Sequence, residues 1–90
     1  MIKQAHIFIK GDVIGVGFRA WTKIQAMNAG VTGWVRNSGD SVEAVLQGEA
    51  DEVNQMVLCL KKGPPVSQVE DVEITWGTPR ETYATFEIVY

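Results

Sequence analysis

Val31-Thr32-Gly33-Trp34-Val35-Arg36-Asn37-Ser38-Gly39-Asp40-Ser41-Val42-Glu43-Ala44-Val45-Leu46-Gln47-Gly48 is the stretch that decides the fold. Residues 31–37 and 41–48 are rich in β-branched and aliphatic side chains, and the three residues between them form tight turns readily. Two strands joined this way pair antiparallel as a hairpin. The chain therefore turns straight back after its second strand, which a doubly wound parallel sheet does not do.

Upstream, Ala5, Ile7 and Ile9 alternate with His6, Phe8 and Lys10, so Ala5 to Lys10 reads as strand one. A glycine-rich run, Gly11-Asp12-Val13-Ile14-Gly15-Val16-Gly17, follows it. Ala20, Trp21, Ile24 and Met27 then recur at helical spacing until Gly30. Downstream, Glu49 to Lys62 carries Val53, Met56, Val57 and Leu60 on one face, with acids at its start and Lys61 and Lys62 at its end, the order a helix dipole favours. Gly63-Pro64-Pro65 stops that helix, and Val69 to Trp76 and Tyr83 to Tyr90 read as two further strands.

The fold class is thus α+β: a ferredoxin-like α/β sandwich, βαββαβ with a C-terminal fifth strand and two helices on one face of the sheet. In that topology strands one and two run the same way with strand three between them. Their C-terminal ends then lie at one edge of the sheet, two strand spacings or ~10 Å apart. The glycine loop and Asn37 are expected to face each other there.

Length and composition narrow the function. The 90 residues suit one domain, residues 1–90, with one site. A formal net charge of -3 argues against nucleic acid as a partner. No apolar run is long enough to span a bilayer, and the N-terminal residues lead directly into a strand, so the chain reads as cytoplasmic and without membrane association. A monomer is the expectation. Cys59 is the only cysteine and can form no internal disulfide. Beside the apolar face of the second helix it reads as an inert thiol rather than a nucleophile. His6, the only histidine, lies on a strand and reads as a packed or surface residue. Glu49, Asp51 and Glu52 are accounted for by the helix start. Trp21, Trp34 and Trp76 read as packing residues.

The loop before the first helix has the attributes of an anion site. Gly11, Gly15 and Gly17 permit a curled backbone, and the helix start adds unpaired amides and a favourable dipole. Arg19, in the first helical turn, carries a planar fork that can bond two phosphate oxygens together. On these residues alone the glycines could equally serve a tight turn, Arg19 could be a solvated helix residue, and Asn37 could be a hairpin residue. Gly15-Val16-Gly17-Phe18-Arg19-Ala20 also fits the dinucleotide fingerprint, but that motif requires the parallel units that the hairpin precludes.

Gly11-Asp12-Val13-Ile14-Gly15-Val16-Gly17-Phe18-Arg19 together with Gly33-Trp34-Val35-Arg36-Asn37 resembles the two signature motifs of the acylphosphatase family, at matching separation. The resemblance implies hydrolysis of acyl phosphates to a carboxylate and inorganic phosphate, with a small-molecule acyl phosphate as substrate and no cofactor or metal. It implies that Arg19 binds the phosphoryl group with the backbone amides of Ile14, Gly15, Val16, Gly17 and Phe18, and that Asn37 positions the attacking water. Ile14 departs from the family's usual glutamine, and the Ser38-Gly39-Asp40 turn is shorter than common versions. The alternative is a non-catalytic phosphate- or anion-binding module of ferredoxin-like fold.

Overall fold

In the computed structural model, which describes residues 1–90, the elements follow the order β1 (Ile2–Asp12), α1 (Phe18–Ala29), β2 (Thr32–Ser38), β3 (Ser41–Glu49), α2 (Ala50–Lys62), β4 (Gln68–Gly77) and β5 (Phe86–Ile88). The five strands form one sheet in the order β4-β1-β3-β2-β5. Only the β2–β5 pairing is parallel. β1 and β2 both run antiparallel to β3, so they are parallel to each other across it, as the hairpin required.

Ser38 pairs with Ser41, leaving Gly39 and Asp40 as a two-residue turn. Gly39 has a φ of 64°, and no non-glycine residue has a positive φ, which suits a turn with glycine at its first central position. The turn fixes where β2 ends, and hence where Asn37 sits.

Ala5, Ile7 and Ile9 of β1 and Val42, Ala44 and Leu46 of β3 are fully buried, facing the helices. Val53, Met56, Val57 and Leu60 of α2 are buried against that side as their spacing predicts. α1 differs: it buries Phe18, Thr22 and Ala26, whereas Ile24 and Met27 are exposed. A polar residue takes the core position because the Thr22 hydroxyl donates to the Phe18 carbonyl at 2.8 Å, leaving only its methyl and carbon surface to be packed. Trp21 packs partly against the core, but Trp76 is largely exposed, with the Lys3 ammonium 4.5 Å from its ring centroid.

The last strand is three residues long, shorter than the sequence pattern suggests. Residues 78–85 instead pass from the β4 edge towards the β5 edge, and their polar groups are met by side chains. The Gln47 side chain donates to the Glu81 carbonyl and accepts the Tyr83 N–H at 3.4 Å. The Trp34 indole N–H reaches the Tyr83 hydroxyl at 3.3 Å. A periodic sequence pattern does not distinguish these partners from a strand ladder.

On the sheet face away from the helices, the nearly buried Glu43 carboxylate accepts from the Arg36 Nε at 2.8 Å and meets the His6 Nε2 at 2.6 Å. Burial pushes its pKa up, but the His6 hydrogen bond and Arg36 outweigh this and hold it below the ordinary 4.5. A depressed folded-state pKa means that the unfolded chain binds the proton more readily, so this stabilisation is present above the ordinary value and fades as pH falls through the lowered one. Glu43→Gln is therefore expected to lower the urea midpoint at about pH 7, with the gap to wild type narrowing as pH falls below the ordinary carboxylate value. A gap independent of pH would show that Glu43 stabilises by packing rather than by charge.

Candidate active site

The C-terminal ends of β1 and β2 lie at one end of the sheet, and the connection from β1 to α1 crosses there. Gly15 and Gly17 have φ values of 77° and 75°. A Cβ at either position would meet nothing within 4 Å, so backbone angle rather than space demands glycine. Gly17 caps α1 in the left-handed conformation, without a side-chain cap and with no acidic residue in the first turn. The first hydrogen bond of the junction runs from the Trp21 N–H to the Gly17 carbonyl at 3.0 Å, and the N–H groups of residues 14 to 20 donate to no carbonyl of the chain. This leaves a cluster of free donors at the positive end of a helix.

A cavity of about 190 Å³ opens at this point. Gly15, Gly17, Phe18 and Arg19 form its loop and helix wall, and Asn37 of β2 stands on another side. Residues 18 positions apart in sequence thus share one small concavity, as the strand order predicts. Arg19 is half-buried and takes part in none of the four ion pairs of the chain. Its guanidinium carbon lies 5.2 Å from the centroid of the Tyr90 ring. With no carboxylate competing for it, the fork is available to an incoming anion. Asn37 is exposed, and its side-chain amide makes no hydrogen bond within the chain.

Ile14 and Val16 do not line the cavity. Ile14 is 38% exposed and Val16 packs partly against the core, so at these two positions only the backbone is suited to an anion. The cavity also includes Val13, Ala20, Ile88 and Tyr90, none of which the sequence reading names as a site residue. Val13 and Ala20 flank the loop and could have been included by proximity in sequence. Ile88 and Tyr90 arrive through the parallel β2–β5 pairing, which carries no local sequence mark.

A family model described as acylphosphatase matches residues 5–88. The chain belongs to the acylphosphatase family. It is 45% identical over 89 residues to an acylphosphatase of Syntrophobacter fumaroxidans, covering 98% of this chain and 92% of the relative. An acylphosphatase of Pyrobaculum aerophilum is 44% identical over 88 residues, with 96% and 93% covered. The crystal structure of acylphosphatase from Bacillus subtilis superposes with a TM-score of 0.94 at 35% identity, covering all of both chains. Family membership makes the chain a hydrolase of the acylphosphatase class and agrees with the ferredoxin-like sandwich described above.

Other chemistry-bearing side chains lie apart from this cavity. His6 is engaged with Glu43 on the opposite sheet face. Cys59 is half-buried, and burial raises its thiol pKa despite the opposing charge of Lys62, which disfavours the nucleophilic thiolate. No three His, Cys, Asp or Glu side chains converge as a metal-binding group. No helix is long and apolar enough to cross a membrane.

Proposed function

We propose that the chain hydrolyses acyl phosphates by direct attack of water on phosphorus, with Arg19 and the amides of residues 14 to 18 holding the phosphoryl group and Asn37 holding the water. The observation that carries this reading is the placement of Arg19, Gly15, Gly17, Phe18 and Asn37 around one cavity, at a loop whose N–H groups donate to no carbonyl of the chain. The guanidinium fork and the amides neutralise charge spread over the phosphoryl oxygens as the transition state forms. Asn37 offers both an acceptor and a donor, so it can hold a water in line without acting as a base.

In this scheme the water oxygen bonds to phosphorus, the bond from phosphorus to the acyl oxygen breaks with its electron pair, and a carboxylate leaves. One water proton passes to a phosphoryl oxygen. The conjugate acid of the leaving group has a pKa of ~4, so the departing oxygen needs no proton from the protein, and the charge on phosphate is met by groups that the chain itself supplies. Following benzoyl phosphate by its loss of ultraviolet absorbance tests the reading. Turnover is expected, and it is expected to persist in excess chelator. Phosphate binding without hydrolysis would overturn it in favour of an anion-binding module, and loss of activity in chelator would overturn the metal-free part.

A further inference from the structure

Glu43 is the only charged residue among the buried ones, and the proposed chemistry does not use it. It stands in β3, between β1 and β2, and each of its carboxylate oxygens is engaged from a different strand. His6 Nε2 of β1 meets Oε2, and the Arg36 Nε of β2 donates to Oε1. The Glu43 side chain is only 7% exposed, so releasing either partner would leave a carboxylate underpaired and out of water. Such a pair holds its geometry where a fully solvated surface pair does not. Arg36 is restrained from a second side by the Trp34 ring, whose centroid lies 5.2 Å from the guanidinium carbon.

Arg36 immediately precedes Asn37 at the end of β2. Successive strand residues point to opposite faces, so Arg36 bonds Glu43 on the open face while Asn37 lines the cavity. β5 pairs with β2 only from Gly33 to Val35, and the last bond on that side runs from the Val89 N–H to the Val35 carbonyl. From Arg36 onward β2 is bonded to β3 alone, up to the two-residue turn. The Asn37 side chain makes no hydrogen bond within the chain, so its backbone alone decides where its amide stands. The bond from Arg36 to Glu43 is the one side-chain hydrogen bond that fastens this strand end.

We infer that Glu43 is a positioning residue for the hydrolytic step: through Arg36 it fixes the last peptide units of β2, and with them the direction in which Asn37 presents its amide to the attacking water. The inference rests on the proposed water-holding role of Asn37. Misplacing a group that orients a nucleophile slows the chemical step without loosening the substrate. The contribution of Glu43 therefore falls on kcat, and it vanishes once the Asn37 amide is gone. Arg19 and the loop amides belong to the connection from β1 to α1, so the grip on phosphate is unaffected.

The test measures kcat and KM for benzoyl phosphate, and inhibition by inorganic phosphate, in wild type, Glu43→Gln, Arg36→Met and Arg36→Lys. Glu43→Gln and Arg36→Met are also combined with Asn37→Ala. Each of the two is expected to lower kcat about tenfold in the wild-type background, with KM and phosphate inhibition within about twofold, and to change kcat less than about twofold beside Asn37→Ala. Arg36→Lys keeps a cation against Glu43 and is expected to retain most of the wild-type kcat. Arg36 is exposed, and methionine preserves packing on Trp34, so Arg36→Met supplies the result even if Glu43→Gln folds poorly; circular dichroism checks both. The same tenfold loss beside Asn37→Ala would show a general loosening of the fold and overturn the positioning role. Wild-type kcat in both single variants, or phosphate inhibition that weakens in step with kcat, would overturn it as well. If Asn37→Ala itself turns over at the wild-type rate, the water-holding reading fails first, and the role of Glu43 falls with it.

Discussion

Replacing Arg19 with alanine is expected to lower kcat/KM for benzoyl phosphate by about 10³-fold, through a higher KM and a lower kcat together. Loss of one preorganised donor from a developing oxyanion typically costs ~10²- to 10³-fold, and an arginine on a transferring phosphoryl group contributes ~10³- to 10⁵-fold. Arg19 joins no ion pair, so no competing interaction within the protein offsets the loss. Arg19→Lys restores charge without the bidentate geometry and is expected to recover only part of the rate. The fold is not expected to suffer. The side chain makes a single aromatic contact, and removing a cation from the positive end of α1 relieves a small electrostatic strain. Steady-state kinetics beside thermal melts separates the two effects. Wild-type kinetics in Arg19→Ala would refute the phosphate-binding role.

Asn37→Ala has a different expected signature: kcat about 10²-fold lower and KM for benzoyl phosphate within about twofold of wild type. The water is needed in the chemical step and contributes little to holding the substrate, so its loss falls on kcat. Asn37→Asp is the informative companion. It keeps the size but replaces the donor with a negative charge facing the phosphoryl group, so both constants are expected to worsen. Because the Asn37 side chain is exposed and makes no hydrogen bond within the chain, its stability effect is expected to stay within about 0.5 kcal/mol. A rise in KM alone for Asn37→Ala would instead make it a substrate-binding residue.

These signatures rest on unequal foundations. The case for Arg19 is local: a glycine-rich loop, a helix start and a guanidinium occur within a few residues, so their conjunction is visible in sequence. Asn37 required both the inference that β3 lies between β1 and β2, from a turn too short to carry a crossover, and the resemblance to the acylphosphatase motif, which alone supplies its water-positioning role. The structure places both at one cavity. Helix α2 was legible for a similar reason, because its apolar spacing and terminal charges agree.

Elsewhere local pattern misled. On α1 the exposed Ile24 and Met27 have the hydrophobicity of core residues, yet Thr22 occupies the core. Helical periodicity alone cannot say which of two overlapping faces meets the sheet when a polar residue satisfies itself on its own backbone. The extent of β5 was overestimated because Gln47 and Trp34, distant in sequence, bond the residues that precede it.

By itself the sequence determined the order of elements and the antiparallel return after β2, and it made the Gly15 to Arg19 region a candidate anion site, all of which depend on spacing, turn chemistry and residue type over short range. Only the tertiary structure decided that Ile88 and Tyr90 complete the cavity and that the Tyr90 ring meets Arg19. The reason is register: the parallel alignment of β5 on β2 is settled by packing across the whole sheet, and no residue within either strand announces its partner.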